Sequence, residues 1–493
     1  MHGLNVILVI IYYIIVVLTV VHVVMDNRQP AKTMAWALVI WFVPIAGIIA
    51  YLFFGINTRR ERLVSQRSLN QLSKRSMLGF VEQHDLQLPE RHKPAIDLFI
   101  NESFSLPFKV NQVDILTDGY QLFPQLLRDI AQARSHIHID LYIFEDDPLG
   151  QLVSDALIQK AHEGVEVRIV YDDVGCWKVS HRFFEHMREE GIEVVPFLPV
   201  RFPSFTSKVN YRNHRKLIVI DGQVGFIGGM NIALRYVKGA KGARKRKDVD
   251  EGSLWRDTML RVTGSGVYSL QRAFLIDWYF VDRTLLSDRK YYPSPVTIPP
   301  SSRRGSGGGS TTIAQTVTSG PVTPYPEIMQ GFVRIIHDAR SYIYIETPYF
   351  LPTEPVLFAL KTAATSGIDV RLIVPKENDA WFAEWASRSY LREAQETGVK
   401  VSLYTAGFLH SKLLVSDDSI CTCGSTNVDF RSFENNFEAN MFFYGEELAV
   451  RMKQTFLNDE AHSMPISSFP SRLRPKFSTR LCESLIRLLS PLM

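Results

Sequence analysis

The distribution of hydrophobic and polar positions divides the chain into a strongly apolar start and a long mixed remainder. Residues 1–55 carry only three formal charges, all of them between two apolar runs at residues 4–24 and 35–54. As a helix rising about 1.5 Å per residue, each run is long enough to cross a bilayer. The pattern predicts a transmembrane hairpin over residues 1–55. A cleaved signal peptide is the alternative, but no basic segment precedes the first run and a second run follows directly.

The segment after the hairpin is basic. Residues 56–80 hold six basic side chains and one acidic side chain, Glu61. By the positive-inside rule, this flank lies in the cytoplasm and only the turn of the hairpin lies outside. We therefore interpret residues 56–100 as a basic juxtamembrane linker of a multi-pass protein whose remaining domains are cytoplasmic.

The remainder of the chain repeats its pattern of apolar strands and helices. Residues 133–139 match residues 339–345, and residues 164–170 match residues 367–373, in the same order. Each copy alternates predicted helices with apolar strands, which is typical of an α/β fold. A period near 200 residues predicts two homologous α/β lobes related by a pseudo-two-fold axis.

The boundaries of these lobes follow from composition. The Gly- and Ser-rich stretch at residues 299–311 is typical of a flexible connector. We therefore place the first lobe at residues 101–298 and the second at residues 312–470. The repeat also argues against a metal site at His136 and His138, because Tyr342 and Tyr344 occupy the equivalent positions.

Composition and charge exclude several functional classes. Of the net charge of +4, residues 1–80 account for +6, so residues 81–493 carry −2. Nucleic acid is therefore not expected as a partner, because its binding requires an excess of basic groups. A basic run at residues 238–247 is the exception, and it is either a solvated loop or a contact for anionic headgroups. The four cysteines are too few for a disulfide scaffold, and we expect Cys421 and Cys423 to be buried strand thiols.

One motif occurs once in each lobe with identical spacing. In the first lobe, His214-x-Lys216-x4-Asp221 is followed after six residues by Gly228-Gly229-Met230-Asn231. In the second lobe, His410-x-Lys412-x4-Asp417 is followed after six residues by Gly424-Ser425-Thr426-Asn427. On a strand, the histidine and lysine of each motif point to one face. The lysines and asparagines can donate hydrogen bonds to phosphate oxygens, and the motif glycines allow the backbone close to the phosphate. The predicted phosphate-binding residues are Gly229, Asn231, Ser425 and Asn427.

This combination of residues suits a phosphodiester. One neutral imidazole can attack phosphorus to form a phosphohistidine, while the other, protonated, gives its proton to the leaving oxygen. The second histidine then acts as a base toward the incoming alcohol. Neighbouring carboxylates can impose the unlike protonation states. Because Lys216 and Lys412 can neutralise the phosphoryl oxygens, neither a metal nor a cofactor is expected.

The doubled His-Lys-Asp motif resembles the signature of the phospholipase D superfamily. Within it, the chain resembles bacterial cardiolipin synthases of the phospholipase D type, in matching stretches that include residues 211–216, 255–258, 347–350 and 427–438. The second apolar run also resembles the membrane anchor that precedes such enzymes.

The resemblance implies a role for each matching residue. His214 is implied as the nucleophile and His410 as the acid and base. Glu438 is implied to orient His214, and Asp257 to orient His410, each across the lobes. The motif aspartates Asp221 and Asp417 belong to the catalytic signature, but the family implies that they hold the lobes and do not touch phosphate.

The resemblance also implies the reaction. We expect a phosphatidyltransferase of the bacterial plasma membrane that converts two phosphatidylglycerols into cardiolipin and glycerol, with anionic membrane lipid as its partner. The alternatives are a phosphatidylserine synthase or a hydrolytic phospholipase D and, less favoured, a nuclease or a lipid-binding scaffold. The sequence leaves the oligomeric state open.

The C-terminus has an amphipathic pattern. Phe477, Leu481, Leu485, Leu488 and Leu492 recur at helical spacing among basic residues. We predict a C-terminal amphipathic helix within residues 471–493, either docked on the protein or lying at a membrane interface.

Overall fold

The structure is a computed structural model. It describes the chain in seven parts, at residues 2–25, 30–55, 86–200, 210–238, 254–294, 312–488 and 490. Residues 56–85 of the expected linker, residues 239–247 of the basic run, the connector at 299–311 and Leu492 lie outside the described residues.

The apolar start of the chain is helical. Helix α1 (His2–Met25) packs against α2 (Pro30–Phe42), and α3 (Pro44–Ala50) continues into a π-helical turn at Tyr51–Gly55. The second predicted run is thus interrupted between α2 and α3, where Pro44 lacks the N–H that a continuous helix requires. Among the described residues, no helix combines the length and the apolarity needed to cross a bilayer.

The segment before the first lobe belongs to the second lobe. A 3₁₀ turn at Glu90–His92 leads into α4 (Lys93–Ser103), whose apolar side chains Ala95, Ile96 and Phe99 pack in the core of the second lobe. Strand β1 (Phe108–Val110) then pairs with the second lobe's first strand. The structure differs here from the expected linker ending at residue 100 and first lobe beginning at residue 101.

The first lobe is built on a seven-stranded sheet of order β2-β9-β7-β6-β3-β4-β5. Its elements in chain order are β2 (Gln112–Leu116), α5 (Gly119–Gln132), β3 (His136–Leu141), α6 (Pro148–His162), β4 (Glu166–Asp172), α7 (His181–Glu189), β5 (Glu193–Phe197), β6 (Lys216–Ile220), β7 (Val224–Gly228), α8 (Arg235–Lys238), β8 (Leu254–Arg256), β9 (Met259–Thr263) and α9 (Val267–Asp282), followed by a 3₁₀ turn at Arg289–Tyr291.

The second lobe has a nine-stranded sheet of order β1-β10-β19-β17-β16-β11-β13-β14-β20. Its elements in chain order are β10 (Thr312–Ser319), α10 (Glu327–Asp338), β11 (Tyr342–Glu346), β12 (Phe350–Leu351), α11 (Glu354–Thr365), β13 (Asp369–Pro375), α12 (Trp381–Glu396), β14 (Lys400–Tyr404), β15 (Gly407–Leu409), β16 (Leu413–Ser416), β17 (Ile420–Gly424), β18 (Val428–Asp429), α13 (Phe430–Glu434), β19 (Glu438–Tyr444), α14 (Glu446–Ala461), β20 (Ser463–Pro465), a 3₁₀ turn at Ile466–Ser468, α15 (Pro470–Leu473) and α16 (Phe477–Arg487).

The seven strands from β10 to β14 repeat the order of the whole first sheet, which confirms the prediction of two homologous α/β lobes. The repeated glycines of the sequence have the same role in both. Gly164 and Gly367 have φ of +87° and +90°, and each lies between a helix and the following parallel strand, β4 or β13. This left-handed conformation suits glycine and lets the helix end where the strand must begin.

The two sheets face each other across a shared core. Helices α9 and α14 contribute to this core together with both sheets, so it contains side chains of both lobes. The remaining long helices cover the outer face of their own sheet through two further apolar clusters. Because the central strands are covered on both faces, they are continuous apolar runs. Cys421 and Cys423 are buried in β17, as expected.

The C-terminal helix α16 docks on α12 by its polar face. Glu483 is buried, and its carboxylate lies 2.6 Å from the Arg392 guanidinium. The apolar side chains of the predicted stripe that lie within the described residues, Phe477, Leu481, Leu485 and Leu488, are all exposed. The helix is therefore docked with its apolar side outward.

Candidate active site

Sheet pairing places both motif histidines at equivalent edges. β6 begins at Lys216 and runs antiparallel to β3, with Lys216 opposite Leu141 at the end of β3. β16 runs antiparallel to β11 in the same way, with Leu413 opposite Glu346. His214 and His410 precede these strands, so each lies at the carboxyl edge of the parallel strands of its lobe.

The lobes interlock at the two histidines. The backbone N–H of His214 donates to the carbonyl of Phe437 at 2.9 Å, and that of His410 donates to the carbonyl of Arg256 at 2.7 Å. The residues after these two acceptors are Glu438 and Asp257. This reciprocity is what a two-fold relation between the lobes produces.

Each imidazole pairs with the carboxylate of the opposite lobe. Nδ1 of His214 lies 2.9 and 3.1 Å from the two carboxylate oxygens of Glu438. Nδ1 of His410 lies 2.6 Å from Oδ2 of Asp257. A carboxylate on Nδ1 fixes the proton there, which leaves the Nε2 lone pair for chemistry.

Burial sets the charge of this site. It lowers the pKa of His214 to about 4, against the opposing effect of Glu438. Burial and the Lys412 ammonium also lower the pKa of His410, against the effect of Asp257. Burial alone would raise the pKa of both carboxyls, but their cationic partners hold the pKa of Asp257 and of Glu438 below the ordinary value. Before an anion binds, the site at neutral pH thus combines neutral imidazoles with ionised carboxylates.

The two motif lysines are buried beside the histidines. The ammonium of Lys216 donates to the backbone carbonyl of His214 at 2.5 Å, and the ammonium of Lys412 lies 2.9 Å from Nδ1 of His410. Burial lowers the pKa of Lys216 to about 7, with Lys412 adding to the effect, and burial also lowers the pKa of Lys412. Because an opposite charge favours the protonated form of a lysine, an anion bound beside Lys216 and Lys412 stabilises their ammonium forms.

The position after the first motif glycine differs between the lobes for a steric reason. A Cβ atom on Gly229 would lie 2.0 Å from Oδ1 of Asp257, so only glycine leaves room for this carboxylate. Ser425 occupies the equivalent position in the second lobe, and its hydroxyl donates to Glu438. Both residues thus contact a carboxylate that orients a histidine.

The two motif asparagines have different surroundings. Asn231 accepts from the Ile143 N–H and donates to the Tyr236 hydroxyl, both at 3.0 Å. Both ends of its amide are therefore used within the first lobe. Asn427 is buried, and its Oδ1 has no hydrogen-bond partner among the described residues.

The motif aspartates bind backbone at the start of a strand. Asp221 accepts from the N–H groups of Arg134, Ser135 and His136 at 2.7 to 3.0 Å. Asp417 accepts from the N–H groups of the equivalent Arg340, Ser341 and Tyr342 at 2.8 to 3.0 Å. The repeated Ala-Arg-Ser blocks of the sequence thus meet the repeated aspartates in the fold.

The sequence assigned no individual role to four side chains that lie near the histidines. The rings of Tyr142 and Trp255 lie edge-on to His214 and His410, with centroids 5.1 and 5.4 Å away. Arg215 donates to the Glu438 carbonyl at 3.0 Å, and Arg256 pairs with Asp459 of the second lobe at 2.6 Å. Arg215 follows His214 in the sequence and Trp255 lies two residues before Asp257, so their positions could have indicated a role. No sequence pattern indicates a role for Tyr142 or identifies Asp459 as the partner of Arg256.

Within the part of the chain that the structure describes, no group of three or more His, Cys, Asp or Glu side chains is arranged to hold a metal ion. His136 and His138 are buried in the first lobe, where Gln271 hydrogen-bonds both rings at 3.0 and 2.8 Å. The ring of His138 also stacks on Phe274. These contacts are those of core side chains.

Comparison with known proteins relates the whole chain to one family. The family model described as cardiolipin synthase, phospholipase D-like domain, matches residues 126–241 and 332–460, once in each lobe. A second model, described as the phospholipase D-nuclease N-terminal region, matches residues 14–55.

Individual proteins show the same relationship. A cardiolipin synthase of Geobacillus thermodenitrificans is 38% identical over 474 residues, which cover 95% of this chain and 90% of that protein. The major cardiolipin synthase of Bacillus subtilis strain 168 is 35% identical and covers 97% of each chain. Among solved structures, the phosphatidylserine synthase of Haemophilus influenzae Rd KW20 has a TM-score of 0.59 at 14% identity, over 82% of this chain and 100% of that one, which shows a shared fold.

Proposed function

This chain belongs to the family of cardiolipin synthases with phospholipase D-like domains, and from that premise we propose that it joins two phosphatidylglycerols into cardiolipin and releases glycerol. The observation that carries this proposal is the pair of cross-lobe contacts, His214 with Glu438 and His410 with Asp257, beside two buried lysines. The arrangement supplies a nucleophile, an acid and two cations at one phosphodiester.

In the first half-reaction, Nε2 of His214 attacks the phosphorus of one phosphatidylglycerol. The bond between phosphorus and the headgroup oxygen breaks, and His410 gives that oxygen a proton, so that glycerol leaves. The product is a phosphatidyl group bonded to Nε2 of His214. Lys216 and Lys412 stabilise the negative charge on the two non-bridging oxygens.

In the second half-reaction, a hydroxyl of a second phosphatidylglycerol takes the place of glycerol. Neutral His410 accepts the proton of that hydroxyl while its oxygen attacks phosphorus and the P–N bond breaks. Cardiolipin leaves, and His410 is again protonated while His214 is again neutral. One phosphodiester replaces another, so no nucleotide and no cofactor are consumed.

The contacts support the division of roles between the histidines. The Glu438 carboxylate pairs with His214 and also accepts hydrogen bonds from the Ser425 hydroxyl and the Asn436 amide. Because its charge is shared among three groups, it stabilises a proton on His214 less strongly. Oδ2 of Asp257 lies 2.6 Å from Nδ1 of His410, and its Oδ1 accepts from the backbone N–H of Thr258 at 2.8 Å. A bound phosphodiester anion raises the pKa of a nearby imidazole, and His410, which is paired more closely with its carboxylate, is the histidine that takes up the proton and then donates it.

The motif residues that do not touch phosphate have structural roles in this proposal. Asp221 and Asp417 bind the backbone N–H groups at the start of β3 and β11 and so fix each of these strands against the motif strand. Gly229 and Ser425 position the two carboxylates, and Asn231 holds the chain after β7. Asn427, with an unsatisfied buried Oδ1, is the asparagine that can turn toward an incoming hydroxyl.

The test is a product assay with the full chain in phosphatidylglycerol vesicles that contain a chelator. Cardiolipin and glycerol should form in equal amounts, and His214→Ala and His410→Ala should each abolish their formation. With phosphatidylglycerol labelled in phosphate, wild-type protein should retain label on His214. Phosphatidic acid or phosphatidylserine as the main product, with water or serine competing, would replace this proposal by one of its relatives, and cleavage of plasmid DNA would point to a nuclease.

We also propose that the N-terminal helices anchor the chain in the bacterial plasma membrane as a hairpin, with the lobes in the cytoplasm. Support comes from α1, which spans roughly 36 Å at 1.5 Å per residue, and from its exposed isoleucine, valine and leucine side chains. The basic segment after residue 56 supports the orientation. A cysteine placed at residues 26–29, between α1 and α2 in the sequence, should react with an impermeant thiol reagent from outside intact cells, whereas the exposed Cys482 should not. The opposite pattern would reverse the orientation.

A further inference from the structure

Several exposed large apolar side chains of the first lobe lie on the edge that carries His214. The strands β3 and β4 are parallel, so their carboxyl ends share this edge with His214. Leu152 lies five residues after the N-cap of α6, which follows β3, and Trp177 lies five residues after the end of β4. Their exposed fractions are 51% and 75%.

The second lobe repeats this arrangement. Phe358 lies five residues after the N-cap of α11, which follows β11 and β12, and Trp381 begins α12 after β13. Both are 66% exposed. Leu152 and Phe358 are thus equivalent, and Trp177 and Trp381 both follow the second parallel strand of their lobe, five and six residues after its last residue.

Both tryptophans adjoin groups that surround the catalytic histidines. In the first lobe, a Cβ on Gly175 would lie 2.1 Å from the carbonyl of Tyr142, whose ring is edge-on to His214. In the second lobe, Asp379 accepts from the Tyr349 hydroxyl at 2.7 Å and also raises the pKa of His410. Trp177 and Trp381 each follow these contacts by two residues, so they lie at the border of the active site on both sides.

The exposure of these tryptophan and phenylalanine side chains requires an explanation, because the protein has a large core in which such side chains are usually buried. Their apolar surface is unfavourable in water, and tryptophan in particular favours the boundary between headgroups and acyl chains. Because the pair of side chains from each lobe lies on one side of a site with two-fold symmetry, a single flat surface can contact all four side chains at once. Among possible occupants, a bilayer is flat, apolar below its headgroups and, given the proposed function, the source of both substrates.

We propose that Leu152, Trp177, Phe358 and Trp381 form an apolar rim that inserts into the bilayer surface and holds the mouth of the active site against the phospholipid headgroups. The proposal rests on the proposed function for its substrate, but the contact itself is a separate physical claim. The hairpin keeps the lobes near the membrane, and the rim determines which edge faces it.

The contact is tested by fluorescence quenching, which needs no activity. Full-length protein and the Trp177→Phe/Trp381→Phe variant are reconstituted in vesicles of phosphatidylglycerol and phosphatidylcholine brominated on its acyl chains. The difference between their emission spectra isolates the two rim tryptophans from those elsewhere. That difference should be quenched by about half or more by the brominated lipid. If it is instead quenched by aqueous iodide and unaffected by bromine, the proposal is wrong.

The consequence for catalysis is tested with Trp177→Ser/Trp381→Ser. For phosphatidylglycerol in vesicles, KM should rise about tenfold with kcat retained, because the site meets its substrate less often in the right orientation. The rate with a short-chain, monomeric phosphatidylglycerol should be unchanged. The control is Val450→Ser, an exposed residue of α14 at the opposite edge of the second lobe, and it should leave both rates unchanged.

The remaining outcomes separate the two proposals. If wild-type protein makes no cardiolipin but the rim emission is quenched by brominated lipid, the proposed function is wrong and the proposed membrane contact of the rim is supported. If cardiolipin forms and the serine variant keeps its KM for vesicles, the rim is wrong. If light scattering shows that the serine variant turns a dimer into a monomer while bromine leaves the rim emission unquenched, the rim contacts a second copy and the proposal is also wrong.

Discussion

At the scale of single residues, the two halves of the site perform the same task with different side chains. His214 uses a glutamate that the Ser425 hydroxyl also contacts, whereas His410 uses an aspartate that fits only because residue 229 is glycine. The longer side chain, Glu438, is contacted by a hydroxyl, and the shorter one, Asp257, lies against the backbone of a glycine. Each carboxylate thereby reaches the histidine of the opposite lobe. The difference gives the two imidazoles unlike environments, as the acid and the nucleophile of the proposed mechanism require.

Exchanging the residues at this position tests that account. In Gly229→Ser, the new side chain displaces Asp257, so His410 loses its partner and cardiolipin formation should fall about 100-fold or more. Ser425→Gly removes one donor from Glu438 but creates no clash, so its loss should stay below about tenfold. Initial rates in vesicles, with thermal unfolding as the check on folding, measure both. A Gly229→Ser protein as active as wild type would refute the steric argument.

Glu438→Gln tests the charge on the first histidine. The amide keeps the volume but cannot stabilise a charged imidazole, and kcat should fall about 10²- to 10⁴-fold. Because Glu438 raises the pKa of His214, removing its charge should move the acid limb of the kcat/KM profile to lower pH.

The matched control for this variant is Glu446→Gln, an exposed glutamate at the start of α14, which should change neither the rate nor the profile. An acid limb that moves to higher pH in Glu438→Gln would show that Glu438 does not act on His214 through its charge.

At the scale of elements, the sequence was most informative where it repeated itself. Gly164 and Gly367, the paired motif strands and the Ala-Arg-Ser blocks are local signals, and they correctly predict two α/β lobes. The start of the second lobe was missed because α4 and the three-residue β1 precede the first lobe in the chain and join the other sheet only in three dimensions. The pairing of His214 with Glu438 spans 224 residues, and only the family resemblance indicated it.

The C-terminal helix shows another limit of sequence patterns. Its amphipathic spacing predicts a helix, and an apolar stripe ordinarily marks the side that packs. In α16 the packed side instead carries Glu483, held by Arg388 and Arg392, while Arg487 pairs with Glu393. Ion pairs across α12 thus decide which face is buried, and periodicity alone cannot reveal them.

Glu483→Gln should therefore release α16 from α12. The substitution leaves two arginines without their buried partner, a change that costs about 3 kcal/mol or more in comparable sites. Hydrogen exchange of residues 477–487 should accelerate strongly while that of the sheets stays unchanged. The control is Glu396→Gln at the other end of α12, which has an exposed side chain. Slow exchange retained in Glu483→Gln would show that apolar contacts such as that of Ile486 suffice for docking.

At the scale of the whole molecule, the two lobes act as one folding unit with one site. They share the central core, β1 from the N-terminal part pairs with β10 of the C-terminal part, and each histidine donates its N–H to the other lobe. We therefore expect the predicted connector at residues 299–311 to contribute only by keeping the two lobes near each other. For lobes already held by a large apolar interface, that contribution is small.

Cutting the connector should accordingly leave the enzyme intact. A protease site that replaces residues 303–308 without changing the length allows cleavage after folding, and the two fragments should elute together and keep about half or more of the original activity. Protease-treated wild-type protein and the uncut variant are the controls. Denaturant should then separate the fragments and abolish activity, because the C-terminal fragment alone lacks β1, α4 and the Asp257 carboxylate. If the fragments separate without denaturant, the lobes are held together by the connector, and the shared core is too weak to maintain a site that depends on contacts between them.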